Sequence, residues 1–222
     1  MSIFEIIGPV MVGPSSSHTA GACRIGYAAR RLLDEKPLKA IIYLHGSFLA
    51  TGDGHGTKEA LAAGLLGFYP DDERLIHALD LAAKEQLDIV FEPIDLGQQA
   101  HPNSVKIVLQ GPTHSLTLVA ASIGGGSVRL QEINDLPVDI PGTLEALILW
   151  HNDTPGFLAR ITAVLACVQI NVATIRTSRF ERGETAITVI EIDHSLPSEV
   201  AALLKKVPSI NRLLVLSPLP GF

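Results

Sequence analysis

The last third of the chain alternates two hydrophobic periods in an order that few folds accept. Leu144 to His151 is a nearly continuous apolar run, the pattern of a well-covered strand. Asn152-Asp153-Thr154-Pro155-Gly156 interrupts it, and here Thr154 or Asp153 suits a helix N-cap and Pro155 the first helical position. Leu158, Ile161, Leu165 and Val168 then share one helical face. Ile170 to Phe180 is rich in β-branched residues, Glu181-Arg182-Gly183 reads as a turn, and Thr185 to Asp193 alternates Ile190 and Ile192 against Glu191 and Asp193. Ser195 and Pro197 open a second helix, in which Val200, Leu203, Leu204 and Val207 keep the i, i+3, i+4, i+7 spacing. Arg212 to Ser217 closes the series as a strand. The order βαββαβ predicts a ferredoxin-like unit.

Ahead of it, Leu136-Pro137-Val138-Asp139-Ile140-Pro141-Gly142 carries two prolines and a glycine between two patterned regions, and reads as a linker. The chain therefore divides into residues 1–135, a connection over 136–143 and a second domain over 144–222. The first part is mixed α/β, so the whole is α+β. Ala20 to Leu33 reads as a helix with Ala22, Ile25, Ala29 and Leu32 inward and Arg24, Arg30 and Arg31 outward. Strands are expected over Leu38 to Leu44, around Val105 to Leu109, over Ser115 to Ala121 and over Val128 to Ile133. Helices are expected over Lys58 to Leu66 and over Asp72 to Gln86, the latter capped by Asp71 or Asp72.

Several function classes fall away. The net charge of −6 supplies no basic field for nucleic acid. No apolar run approaches the roughly 18 residues that would span a bilayer. Met1 to Ile7 has no basic stretch and carries Glu5, unlike a signal peptide, which makes the cytoplasm the expected compartment. The two cysteines, Cys23 and Cys167, form no paired motif and cannot alone supply the four thiolates of a usual iron–sulfur cluster. Charged residues make up only 18% of the chain, against about 25% in an average domain. That shortage favours an obligate subunit, with faces covered by other chains, over a free monomer.

Four segments can carry chemistry. In Gly13-Pro14-Ser15-Ser16-Ser17-His18-Thr19, hydroxyls and an imidazole precede a helix N-terminus, where free N–H groups and the macrodipole favour a phosphate or carboxylate. A serine loop with one N-cap explains the same residues. In His45-Gly46-Ser47 and then Thr51-Gly52-Asp53-Gly54-His55-Gly56-Thr57, the glycines leave His55 open to present its ring as a general base, with Asp53 a candidate to orient it. A solvated turn is the alternative. Ser122-Ile123-Gly124-Gly125-Gly126-Ser127 allows close backbone approach or is a hairpin loop. Asn152-Asp153-Thr154-Pro155-Gly156-Phe157-Leu158 suits an amino acid, with its carboxylate on the helix N-terminus and its amino group on Asp153, or is plain capping.

Taken together, Gly8 to Thr19, Gly54-His55-Gly56-Thr57, His101-Pro102-Asn103 and Ser122 to Gly126 closely resemble the β chain of the iron–sulfur-dependent L-serine dehydratases. Asp153-Thr154-Pro155-Gly156-Phe157-Leu158 is similar to the turn of ACT domains, which sense amino acids. The resemblance implies an N-terminal domain like the allosteric substrate-binding domains, followed by an ACT domain. It also implies deamination of L-serine to pyruvate and ammonia, with a [4Fe–4S] cluster acting as Lewis acid on the substrate hydroxyl. His55 matches the family's proposed base. Ser15, Ser16, Ser17, His18, Thr19, Gly54, Gly56, Thr57, Gly124 and Gly125 would line the substrate or anion site. Asn152, Asp153, Gly156, Phe157 and Leu158 would line the ACT ligand site. No metal ligand is expected on this chain; the cluster would be held by a separate, cysteine-bearing α subunit, without which this chain would be inactive. A homodimer through the ACT domain is expected. The alternative is a non-catalytic sensor resembling the regulatory domains of phosphoglycerate dehydrogenase.

Overall fold

The computed structural model describes residues 10–220 and divides into two compact units. One comprises the chain up to Asp135 together with Leu219 and Pro220; the other is Leu136–Pro218. Gly8, Pro9 and the Met1 to Ile7 stretch lie outside the described residues.

In the first unit a π-helical turn, Ser16–Gly21, runs directly into α1, Ala22–Leu33, which stops at Asp34 in a left-handed conformation (φ +65°). Next come β1 (Lys39–Leu44), the short α2 (Gly46–Ala50) and α3 (Thr57–Leu66). The helix expected over Asp72 to Gln86 is divided. Asp72 accepts from the Arg74 amide, Glu73–His77 is a 3₁₀ turn, and only α4, Ala78–Lys84, is α-helical. Then follow β2 (Asp88–Pro93), β3 (Ser104–Gln110), β4 (Ser115–Gly124) and β5 (Ser127–Ile133). These strands are ordered β2-β1-β3-β4-β5, with β1 and β2 parallel and the other pairs antiparallel. Edge strand β2 has no counterpart in the sequence pattern, because Asp88, Glu92 and Pro93 mask its period.

Helices α1 and α3 pack against each other without intervening side chains at two glycines. A Cβ on Gly26 would lie 2.3 Å from the Leu61 carbonyl oxygen, and one on Gly64 would lie 2.1 Å from that of Cys23. Both obstacles are backbone, so neither can swing aside. Arg24, expected outward, is 1% exposed. Its guanidinium donates to the carbonyls of Gly126 (2.5 Å) and Pro220 (2.7 Å), so the buried charge is solvated by peptide oxygens.

The second unit starts with β6, Leu136–Ile140, in the segment read as a linker. Leu136, Val138 and Ile140 point inward between the less buried Pro137 and Asp139, a period-2 pattern that the prolines obscure. Strand β7 (Glu145–Asn152), α5 (Phe157–Cys167), β8 (Val172–Arg179), β9 (Thr185–Ile192), α6 (Ser198–Leu204) and β10 (Ile210–Leu216) follow in the expected βαββαβ order. The antiparallel sheet is ordered β10-β7-β9-β8. Leu147 and Leu149 of β7 and Ile190 and Ile192 of β9 meet Phe157, Ile161 and Leu165 of α5 in the core.

The turn before α5 is not the expected cap. The Phe157 amide donates to the Thr154 carbonyl across Pro155 and Gly156, and Gly156 has φ +78°, the signature of a type II turn. Pro155 occupies the second position of that turn rather than the helix.

From the glycine contact we predict that Gly26→Ala and Gly64→Ala each destabilise the protein by about 2 kcal/mol or more, as overpacking does. Gly54→Ala, whose Cβ would meet nothing within 4 Å, is the control, expected within about 0.5 kcal/mol of the parent. Denaturant midpoints decide it; equal effects at all three sites would contradict the close approach.

Candidate functional site

The two loops that precede α1 and α3 meet where those helices begin. Ser15 caps the π-helical turn in an extended conformation, its hydroxyl accepting from the His18 amide at 3.2 Å. The Thr19 hydroxyl donates to the His55 carbonyl at 3.0 Å and so ties the serine loop to the glycine-framed loop. The His18 and His55 rings lie 4.9 Å apart between centroids, and Phe48 packs edge-on against His18 at 5.3 Å. His18 Nε2 contacts the hydroxyls of Ser47 (3.1 Å) and Thr51 (3.2 Å).

His55 is held differently. Its Nδ1 lies 2.9 Å from the Thr51 carbonyl oxygen. A carbonyl only accepts, so Nδ1 carries the proton and the neutral ring keeps its lone pair on Nε2. Asp53, the sequence candidate for orienting the ring, instead pairs with Lys58 at 2.8 Å. The two hydroxyls on His18 can donate or accept, so they impose no such choice there. Burial, and then the neighbouring His55, lower the His18 pKa below the ordinary histidine value; the Ser47 contact opposes them.

Beside these rings is a cavity of about 200 Å³. Val12, Leu75 and Ile76 give it apolar walls, and Thr19, His55, Gly56 and Glu59 reach it from the two helix starts. Gly56 has φ +67°, which a side chain would resist. Thr57 is fully buried, and its hydroxyl has no partner among the described residues. The other motif segments frame the site. The Ser47 amide donates to the Pro102 carbonyl (2.7 Å), and the Ser122 amide to that of Asn103 (3.0 Å). The Ser122 hydroxyl is buried, lacks a partner among the described residues, and sits where a Cβ on Gly21 would fall. Gly124 and Gly125 form the β4–β5 turn at φ +114° and +58°, apart from the cavity lining. Ser47, Thr51 and Ser122 belong to the motif segments, but the sequence assigns their side chains no role. The first two do stand four residues apart, so that one helical turn brings both to one imidazole.

In the second unit the amino-acid-like turn is occupied by its own chain. Asp153 accepts from Arg179 and from the Gly183 amide, which hold its carboxyl below the usual range, the amide contributing most. Asn152 Oδ1 accepts from Asn211. Phe157 is buried and stacks on His151 at 3.5 Å, while Leu158 is 40% exposed.

Cluster ligation does not fit this chain. Cys23 is buried, and burial pushes its thiol up to about 12, far from the thiolate a cluster needs. Cys167 is exposed in the other unit. Among the described residues no group of three or more His, Cys, Asp or Glu side chains could hold a metal ion. No helix among them is long and apolar enough to cross a membrane.

The family model for the serine dehydratase beta chain matches residues 2–133, and that for the ACT domain matches residues 146–209. The chain belongs to the serine dehydratase beta-chain family. It is 41% identical over 209 residues to the probable L-serine dehydratase beta chain of Bacillus subtilis (strain 168), covering 94% of each. It is 35% identical to the L-serine dehydratase beta chain of Peptoniphilus asaccharolyticus, over 91% of this chain and 92% of the other. A D-3-phosphoglycerate dehydrogenase of Bacillus subtilis is 29% identical over 128 residues, which is 58% of this chain and 24% of that enzyme.

The ring geometry yields a spectroscopic prediction. His18 should titrate below the ordinary value of about 6.5, and His55→Gln should move it upward by removing a neighbouring positive charge. Ring-proton NMR shifts against pH would show it; a His18 titration unmoved by His55→Gln would contradict the pairing.

Proposed function

We propose that this chain is the subunit that removes the α proton in the deamination of L-serine to pyruvate and ammonia. The observation that carries the proposal is the Thr51 carbonyl on His55 Nδ1, which leaves Nε2 as a proton acceptor beside a small cavity. In the proposed reaction His55 Nε2 takes the Cα proton. The electron pair of that C–H bond forms the Cα–Cβ double bond, and the hydroxyl leaves with a proton as water. The resulting aminoacrylate tautomerises to the imine, and water hydrolyses it to pyruvate and ammonia. The serine loop, Ser15 to Thr19, with Gly54, Gly56 and Thr57, holds the substrate carboxylate in this reading, and Gly124 and Gly125, apart from the cavity lining, are its outlying members in the β4–β5 turn. The iron–sulfur cluster implied for the family belongs to a separate α subunit in this proposal, since the two cysteines here do not suit it.

The proposal extends to assembly. Residues 1–135 form the catalytic domain and 144–222 the ACT domain, which binds an amino acid near Asn152, Asp153, Gly156, Phe157 and Leu158. Two ACT domains pair to make a homodimer in the cytoplasm. Light scattering on this chain should give a dimer; a monomer throughout a concentration series would refute that pairing.

The alternative, a sensor without chemistry, has the partial likeness to phosphoglycerate dehydrogenase behind it, a weaker match than that to the serine dehydratase beta chains. Activity separates the two. With the α subunit present and air excluded, pyruvate should form from L-serine. His55→Ala should lower kcat by about 10² to 10⁴, the usual worth of a general base. An undiminished rate in that variant would overturn the base assignment, and tight serine binding without any turnover in the complex would support the sensor.

A further inference from the structure

Among the described residues, Glu59 is the one acidic side chain that lines the His55 cavity. It stands in the first turn of α3, three residues beyond Gly56, where the helix dipole favours a carboxylate. Its Oε2 lies 3.8 Å from where a Cβ on Gly56 would be, so the carboxylate folds back over the residue next to His55. The neighbouring cation is committed elsewhere, because Lys58 pairs with Asp53. No described residue gives the Glu59 side chain a hydrogen bond or an ion pair. The cavity therefore presents a carboxylate without a partner among the described residues, beside a proton acceptor and next to apolar walls.

We propose that Glu59 is a specificity-determining residue that anchors the α-ammonium group of a free amino acid in this cavity. The inference rests on the reading of the His55 cavity as the substrate site. An ammonium held at Glu59 turns the substrate's Cα toward the loop that carries His55. The serine loop is left for the carboxylate. The geometry also selects against hydroxy acids, which would leave the Glu59 carboxylate desolvated and unpaired.

The complete enzyme, this chain with its α subunit, provides the test, using Glu59→Gln and Glu59→Asp. Expected for Glu59→Gln is a rise in KM for L-serine of about tenfold or more, exceeding any fall in kcat. Glu59→Asp should recover part of the loss. Inhibition by glycine, which keeps the ammonium, should weaken in parallel. Inhibition by 3-hydroxypropanoate, which lacks it, should hold or strengthen. An unchanged KM, or equal weakening of glycine and 3-hydroxypropanoate, would overturn the anchor. The two readings fail separately: activity surviving in His55→Ala removes the base, whereas an inactive His55→Ala with an unaltered KM in Glu59→Gln removes only the anchor.

Discussion

The contact between α1 and α3 at Gly26 and Gly64 is the constraint on which the site depends. With carbonyl oxygens about 2 Å from where a Cβ would be, the two helices run backbone against backbone. Helices packed through larger side chains sit roughly 8–10 Å apart; a smaller separation brings their ends into side-chain reach. The serine loop enters α1 and the glycine-framed loop enters α3. Helix contact thus becomes loop contact, seen in the Thr19 hydroxyl on the His55 carbonyl and in the two imidazoles 4.9 Å apart. A single methyl in the helix interface would loosen residues a turn or more away, none of which it touches.

This dependence explains which parts were legible in the sequence. The ferredoxin-like unit was legible because its apolar periods follow local geometry: Leu147 and Leu149 face the helices at period 2, and Ile161 and Leu165 at helical spacing. Strand β6 was hidden because Pro137 signals a break, although a proline on the less buried face of an edge segment leaves the pattern of Leu136, Val138 and Ile140 intact. Arg24 misled in the opposite direction. Its charge argues for solvent, and only the tertiary structure brings the Gly126 and Pro220 carbonyls that make burial tolerable.

The candidate site shows the same division. His55 and the serine loop stand out in the sequence because glycines and clustered hydroxyls are unusual ahead of helices. Their partners do not stand out. The Thr51 carbonyl that fixes the His55 tautomer is a backbone atom, which any residue could supply, and Ser47 and Ser122 are ordinary residues until the fold brings them in. Asp53 drew notice as an orienting carboxylate because it is near in sequence. A side chain two positions away along a 3₁₀ turn points elsewhere, and Lys58 claims it.

Hydrogen-bond saturation separates His151, which holds the structure, from His55, which is suited to chemistry. His151 donates from Nδ1 to the Asn152 carbonyl and is met at Nε2 by Thr188, whose hydroxyl is shared with Thr177. Burial lowers its pKa, as expected of an imidazole kept neutral inside a core. Both nitrogens are spent, so it can move no proton without breaking the chain it anchors. His55 has one nitrogen committed to a carbonyl and the other available next to a cavity. A base needs that asymmetry: one bond to hold the ring and choose the tautomer, and one lone pair with nothing to displace. His18 lies between these cases. Its hydroxyl partners hold the ring without fixing its proton, and its lowered pKa favours a neutral imidazole beside His55.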